Sequence, residues 1–409
     1  MKVSLVVVVV VVVGLCGSQR TGLDTTFLDP IISVRKLFTN IELSSPRVTR
    51  TYKYNLENKK FQPKIPEAEP FLCDLNVGSR SSSTPDNVNE LKPGDIDVIA
   101  ALGDSITAAN GALSSGLLHL FIENRGISWS IGGRDAWGKY LTIPNILKLY
   151  NPNLYGYSVG DGLTVERTSK FNVAEPMTYY QDLLYQARVL HKRMKNDKNV
   201  DWKNHWKLLT IFVGNNDICS RVCEYKKPMK LVEDHEQHVR NTLRFLRDNI
   251  PRLIVNWVPL PNLVKLHYFK GIPTECYLAQ RVECRCIYSA KITKRILSIY
   301  KKIINQLTEK QREIVSSSEF DTDTFTVNFQ PFSTNVTFPT KSDGNTDLRY
   351  YAHDCFHFSQ LGHATAANAL WNNMIQPQDE KQVDWYPVFQ RFDCPSEDSP
   401  FLSTRRNSH

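Results

Sequence analysis

Short apolar runs alternate along this chain with longer stretches in which apolar residues return every three or four positions. Residues 98–102 form the first run, with no polar interruption, as expected of a strand buried on both faces of a parallel sheet. Residues 208–213 and 253–258 repeat it with one polar position each, while residues 325–332 alternate, as a late or edge strand does. Between these runs, Leu183, Leu184, Ala187, Leu190 and Met194 recur at helical spacing, and so do Ile292, Ile296, Ile299, Ile303 and Leu307. Strands alternating with amphipathic helices predict an α/β fold, a parallel sheet with helices on both faces. Residues 80–89 are turn-rich, order is expected to begin at Pro93-Gly94-Asp95, and past Pro377 the pattern dissolves into a polar tail tethered by Cys394. No internal repeat is present.

The N-terminus sets a compartment. Lys2 precedes an apolar stretch over residues 3–15 and then Cys16, Gly17 and Ser18. A positive start, a short apolar core and small residues at the exit describe a secretory signal peptide; the stretch is short for a membrane anchor, the rival reading. The expected layout is therefore a signal peptide over 1–18, a lead-in and linker over 19–90, the α/β domain over 91–378 and a tail over 379–409. Setting Cys16 aside leaves eight of the nine cysteines, an even number that suggests up to four disulfides of open connectivity. Cys219, Cys223, Cys284 and Cys286 are the alternative as a zinc site, but C-x3-C and C-x-C are poor matches to zinc spacing. Asn335-Val336-Thr337 is a glycosylation acceptor if exposed.

The 409 residues are 41% hydrophobic and 22% charged, which excludes fibrous and disordered classes. The net charge of +8 is dispersed rather than gathered in one arm, so nothing in it argues for nucleic acid. Basic residues between 291 and 310 accompany an isoleucine stripe, a face that would suit an anionic membrane surface or, more plainly, solvent.

Three segments carry chemistry. The first strand runs into Gly103-Asp104-Ser105-Ile106-Thr107, placing a serine at the carboxyl edge of the sheet, where open α/β folds bind ligands. Ala108-Ala109-Asn110 is expected to open a helix whose N-terminus would favour a developing oxyanion. The second strand exits at Gly214-Asn215-Asn216-Asp217, where a side-chain amide can donate to negative charge. Taken alone, both segments also read as turns. In Asp354-Cys355-Phe356-His357 an acid three residues before a histidine reaches Nδ1 if the segment makes one turn. A metal cluster of His353, His357 and His363 with Asp354 is the rival, without the usual ligand spacing. Cys355 fits a bridge better than a nucleophile. The absence of G-x-S-x-G excludes an α/β-hydrolase nucleophile elbow.

Serine, amide donor and Asp–His in this order resemble the SGNH (GDSL) hydrolase family. Gly126-Ile127-Ser128-Trp129-Ser130-Ile131-Gly132-Gly133, Ile143-Pro144-Asn145-Ile146-Leu147 and Ala369-Leu370-Trp371-Asn372-Asn373-Met374 extend the resemblance to its animal phospholipase B type over residues 71–374. The resemblance implies a three-layer α/β/α sandwich, flavodoxin-like, with Ser105 as nucleophile, His357 as base and Asp354 as the orienting acid, with Asp217 as rival acid. It implies Asn216 and the Ser105 backbone N–H as oxyanion donors. The family's glycine in N-x-A-x-x-G is Met177 here, in Asn172-Val173-Ala174-Glu175-Pro176-Met177. Its N–H survives the exchange, but close approach and a positive φ are put in question. The expectation is a secreted, monomeric serine esterase acting on phospholipids and lysophospholipids without metal or cofactor. Another ester, or a lipid-binding homologue without activity, are the alternatives.

Overall fold

A computed structural model describes residues 33, 35–37 and 47–408 of the chain; the expected signal peptide lies outside them. Four parallel strands, β1 (Ile96–Gly103), β2 (Trp206–Phe212), β3 (Leu253–Trp257) and β4 (Phe325–Phe329), lie side by side in chain order. Every residue in them is buried, which is why their sequences read as nearly unbroken apolar runs. The helices are α1 (Arg47–Glu57), α2 (Ile143–Tyr150), α3 (Leu183–Lys195), α4 (Lys230–Asn249), α5 (Thr274–Glu283), α6 (Lys294–Val315) and α7 (Gln360–Ile375).

The strand order dictates the layers. Right-handed crossovers between successive neighbours put one connecting helix from each crossover on the same face, and α3, α4 and α6 pack there in a row. Their core meets Val98, Ala100 and Leu102 of β1 and Leu209 and Ile211 of β2. The opposite face presents Ile99, Ala101, Leu208 and Phe212, and α2 and α7 cover it together with Trp129. The fold is thus an α/β/α sandwich on a parallel sheet. The helical stripe of α6 is Leu297, Tyr300, Ile303, Ile304 and Leu307; Ile299, expected within it, is 38% exposed beside the solvated lysines.

The flanks are more closely bound than the sequence suggested. Structure begins well before Pro93: Leu361 N–H donates to the Lys60 carbonyl (2.8 Å), and Phe71 and Leu75 join the core. All sixteen residues of α7 are buried, because the tail lies over its outer side. Asn368 Nδ2 donates to the Arg391 carbonyl (2.8 Å) and Trp371 Nε1 to that of Asp393 (2.7 Å). Cys394 bridges to Cys73, but Leu402 N–H on the Leu91 carbonyl (2.7 Å) and Ser403 N–H on that of Met374 (2.7 Å) tether the tail too. The cysteines proposed for zinc form two disulfides, Cys219–Cys284 and Cys223–Cys286, and the fourth is Cys276–Cys355.

Candidate active site

The first two chemical segments leave adjacent strands at the carboxyl edge. Gly103 ends β1 where a Cβ would meet Thr107 Oγ1 at 2.5 Å and the Phe212 carbonyl at 2.7 Å, so only glycine lets the chain turn there. The segment that follows is a single hydrogen-bonded turn, not the helix expected from Ala108: Ala108 N–H donates to the Asp104 carbonyl and Asn110 N–H to that of Ser105 (both 3.0 Å). Ala109 takes φ +58°, a left-handed residue that ends the turn. Any oxyanion stabilisation at Ser105 therefore comes from individual N–H groups rather than a helix dipole. Asp104 anchors the turn from below, its Oδ1 accepting from Ile106 N–H (3.0 Å) and its Oδ2 from Asn215 Nδ2 (2.8 Å). Burial pushes its carboxyl up to about 6, against the pull of Asn215.

Ser105, His357 and Asp354 lie on one hydrogen-bonded line. Ser105 Oγ is 2.7 Å from His357 Nε2, and His357 Nδ1 is 2.6 Å from Asp354 Oδ2. The turn that makes this possible is local. Cys355 adopts φ +57°, folding Asp354 back so that its Oδ1 accepts from the backbone N–H groups of Phe356 (2.9 Å) and His357 (3.0 Å). Burial opposes protonation of His357, but the Asp354 carboxylate outweighs it and holds the imidazole up, to about 9. The same pairing, with the two backbone donors, outweighs burial at Asp354 and holds its carboxyl low.

Asp217 points elsewhere. Its Oδ2 accepts from Tyr180 N–H (3.1 Å), burial keeps its carboxyl well above the usual range, and no hydrogen bond among the described residues joins it to His357. The rival metal cluster is also not assembled: His353 Nδ1 meets Tyr54 Oη (3.3 Å) and His363 Nδ1 accepts from Trp129 N–H (3.4 Å).

The third edge of the site runs along the free side of β1. Val173 and Glu175 donate their N–H groups to the carbonyls of Ala101 and Gly103 (both 3.1 Å), and the chain then turns at Pro176-Met177. Thr178 N–H closes that turn on the Glu175 carbonyl (3.3 Å). Proline at the second position and a left-handed third residue are the requirements of a type II turn, and Met177 has φ +67°. Asn216 Nδ2 donates to the Thr178 carbonyl (3.0 Å), tying the strand-2 exit to this turn and leaving a second amide hydrogen. Among the described residues, nothing accepts from the N–H groups of Ser105 or Met177. Met177→Gly is expected to raise stability by about 1 kcal/mol, the left-handed cost of a side-chain residue less glycine's chain entropy. A denaturant midpoint that falls or stays put would contradict this.

Two supports were not picked out in the sequence. Gln186 on α3 brackets Gly103, accepting from its N–H (2.9 Å) and donating to its carbonyl (2.8 Å), and also reaches Thr178 Oγ1 (3.0 Å). Arg125, fully buried, donates to the carbonyls of Asn172 (3.2 Å) and Ala174 (2.7 Å) and pairs with Glu123, which Arg35 also meets. Arg125 left no periodic signal. Gln186, a polar residue on the inward face of an amphipathic helix, did.

The family described as GDSL-like lipase/acylhydrolase matches residues 99–370, from β1 through the Asp354–His357 turn into α7. The chain belongs to this family. It carries the family's ester-hydrolase domain. It is 35% identical over 399 residues to "Phospholipase B1, membrane-associated" of Mus musculus, covering 95% of this chain and 26% of the relative. The Homo sapiens protein of the same name is 37% identical over 345 residues, covering 83% and 23%. The chain thus spans about a quarter of the length of these curated relatives. A solved extracellular lipase from Streptomyces rimosus is 10% identical with TM-score 0.31, over 68% of this chain and 98% of that one.

Proposed function

We propose that this GDSL-family protein is a serine esterase that releases fatty acids from glycerophospholipids and lysophospholipids. The unbroken Ser105–His357–Asp354 line carries the reading. His357 Nε2 takes the Ser105 hydroxyl proton as Oγ attacks the ester carbonyl, while Asp354 steadies the imidazolium. The oxyanion is received by the N–H groups of Ser105 and Met177 and the remaining Asn216 amide hydrogen. The imidazolium returns its proton to the departing alcohol, and a water activated by the same histidine then frees the acid. No metal or cofactor enters these steps. The lipid assignment rests on the relatives' name.

In this proposal the protein is secreted through the residue 1–18 signal peptide, with residues 91–378 as the hydrolase domain flanked by residues 19–90 and 379–409. It works as a monomer and meets membranes peripherally. Among the described residues no helix is long and apolar enough to cross a bilayer. The four disulfides fit an oxidising compartment. Asn335 is exposed and available as a glycan acceptor.

Incubating the full chain with phosphatidylcholine or lysophosphatidylcholine in the presence of chelator is expected to release fatty acid from both. Silence on both lipids, with Ser105 still labelled by a fluorophosphonate, would move the substrate to another ester. Silence without labelling would leave a lipid-binding homologue.

A further inference from the structure

Glu283 was not singled out by the sequence, and its surroundings give it a role. It is the last residue of α5, with Oε1 3.8 Å from His357 Nδ1. Ligand atoms of Glu283, Asp354 and His357 all lie within 4.8 Å of one another, which puts the Glu283 carboxyl beside that of Asp354. Asp354 is fully buried and Glu283 partly so, and two carboxyls this close with little water between them favour holding one proton rather than two charges. Asp354 accepts three N–H bonds, from Phe356, His357 and the His357 ring. Glu283 Oε2 is buried with no partner among the described residues. The anion therefore belongs on Asp354 and the proton on Glu283. Burial and the Asp354 charge both push the Glu283 carboxyl upward, in the same direction.

The helix itself is built for this contact. α5 fully buries only Cys276 and Gln280. With Glu283 they fall at i, i+4 and i+7, one helical stripe, and each meets the Asp354–His357 turn. Cys276 is bonded to Cys355, Gln280 Nε2 donates to the Cys355 carbonyl (2.9 Å), and Glu283 meets Asp354. The next residue, Cys284, is bonded to Cys219 just beyond Asp217, which fastens the end of α5 to the strand-2 exit.

We infer that Glu283 is a positioning residue, a neutral carboxylic acid that donates to Asp354 and fixes that carboxylate beneath His357. The inference rests on the Ser105–His357–Asp354 reading above. A neutral donor locks the Asp354 rotamer without adding charge. An anionic Glu283, 3.8 Å from Nδ1, would instead compete with Asp354 for the imidazole proton.

The test compares wild type, Glu283→Gln and Glu283→Ala as full chains, with active sites counted by fluorophosphonate and turnover measured on a water-soluble p-nitrophenyl ester. Glu283→Ala is expected to lower kcat by about 10–100-fold, as losing an outer-shell partner does, with KM little changed. Glu283→Gln, which still donates, is expected to recover kcat to within about threefold and to keep the acid limb of kcat/KM where wild type has it. Gln as impaired as Ala would overturn the inference. So would an acid limb that moves down in Gln, because that shift means an anion was removed beside His357. Wild-type activity lost in chelator and restored by zinc would mean that a cation, not a proton, bridges the carboxyls. If wild type is not labelled at Ser105, the catalytic reading fails first; labelled enzymes with equal kcat sink Glu283 alone.

Discussion

Ser105→Ala is expected to abolish fatty-acid release, with kcat falling by at least about 10⁴-fold. The size follows from the site acting as a unit. Without Oγ, His357 Nε2 has no proton to take and no acyl-enzyme forms, so what remains is the background from oxyanion donors and binding. The fold should be untouched, since the Ser105 hydroxyl serves only His357 among the described residues. The variant should therefore keep its melting temperature and lose fluorophosphonate labelling. Release at a tenth of the wild-type rate or more would mean a different nucleophile.

Asp354→Asn should cost nearly as much, about 10⁴-fold in kcat, because an amide in place of Oδ2 no longer accepts the Nδ1 proton and favours the wrong imidazole tautomer. Asp217→Asn is the matched control. Burial pushes its carboxyl well upward, and its Oδ2 already serves Tyr180 N–H, so the loss there should stay below about tenfold. Equal losses at the two positions would reverse the assignment of the acid. The pH profile gives the sign independently. His357 acts as base only when neutral, and its pKa is raised, so wild-type kcat/KM should climb with pH through a limb above the ordinary histidine value. Removing the carboxylate that raises it should shift the limb of any residual activity downward.

Much of this was legible beforehand, for identifiable reasons. β1, β2 and β3 are buried on both faces, so their sequences carry no competing polar pattern. The Asp354–His357 spacing is local, and a single turn satisfies it. The helix expected at Ala108 failed because the left-handed Ala109 ends the turn after one cycle, a conformation no composition signals. Ile299 was miscounted because helical spacing alone does not say which edge of a stripe meets the core. Glu283 stayed hidden for a different reason. Its stripe is made of cysteine, glutamine and glutamate, so a search for apolar faces passes over α5. The disulfide pairing that explains it becomes visible only in three dimensions.

The tail laid over α7 has a consequence for how the protein is made. Ser105 and His357 are 252 positions apart, and the helix that follows His357 is sealed on its outer side by residues 389–393 and 402–403. A nascent chain extended only through β4 therefore has the nucleophile but neither the base nor the cover for α7. The site and the cover of α7 are complete only once the chain extends past residue 403. A stop between residues 376 and 388 removes no reacting group, yet strips α7 of these contacts and offers its uncovered side to chaperones and to other unfinished chains.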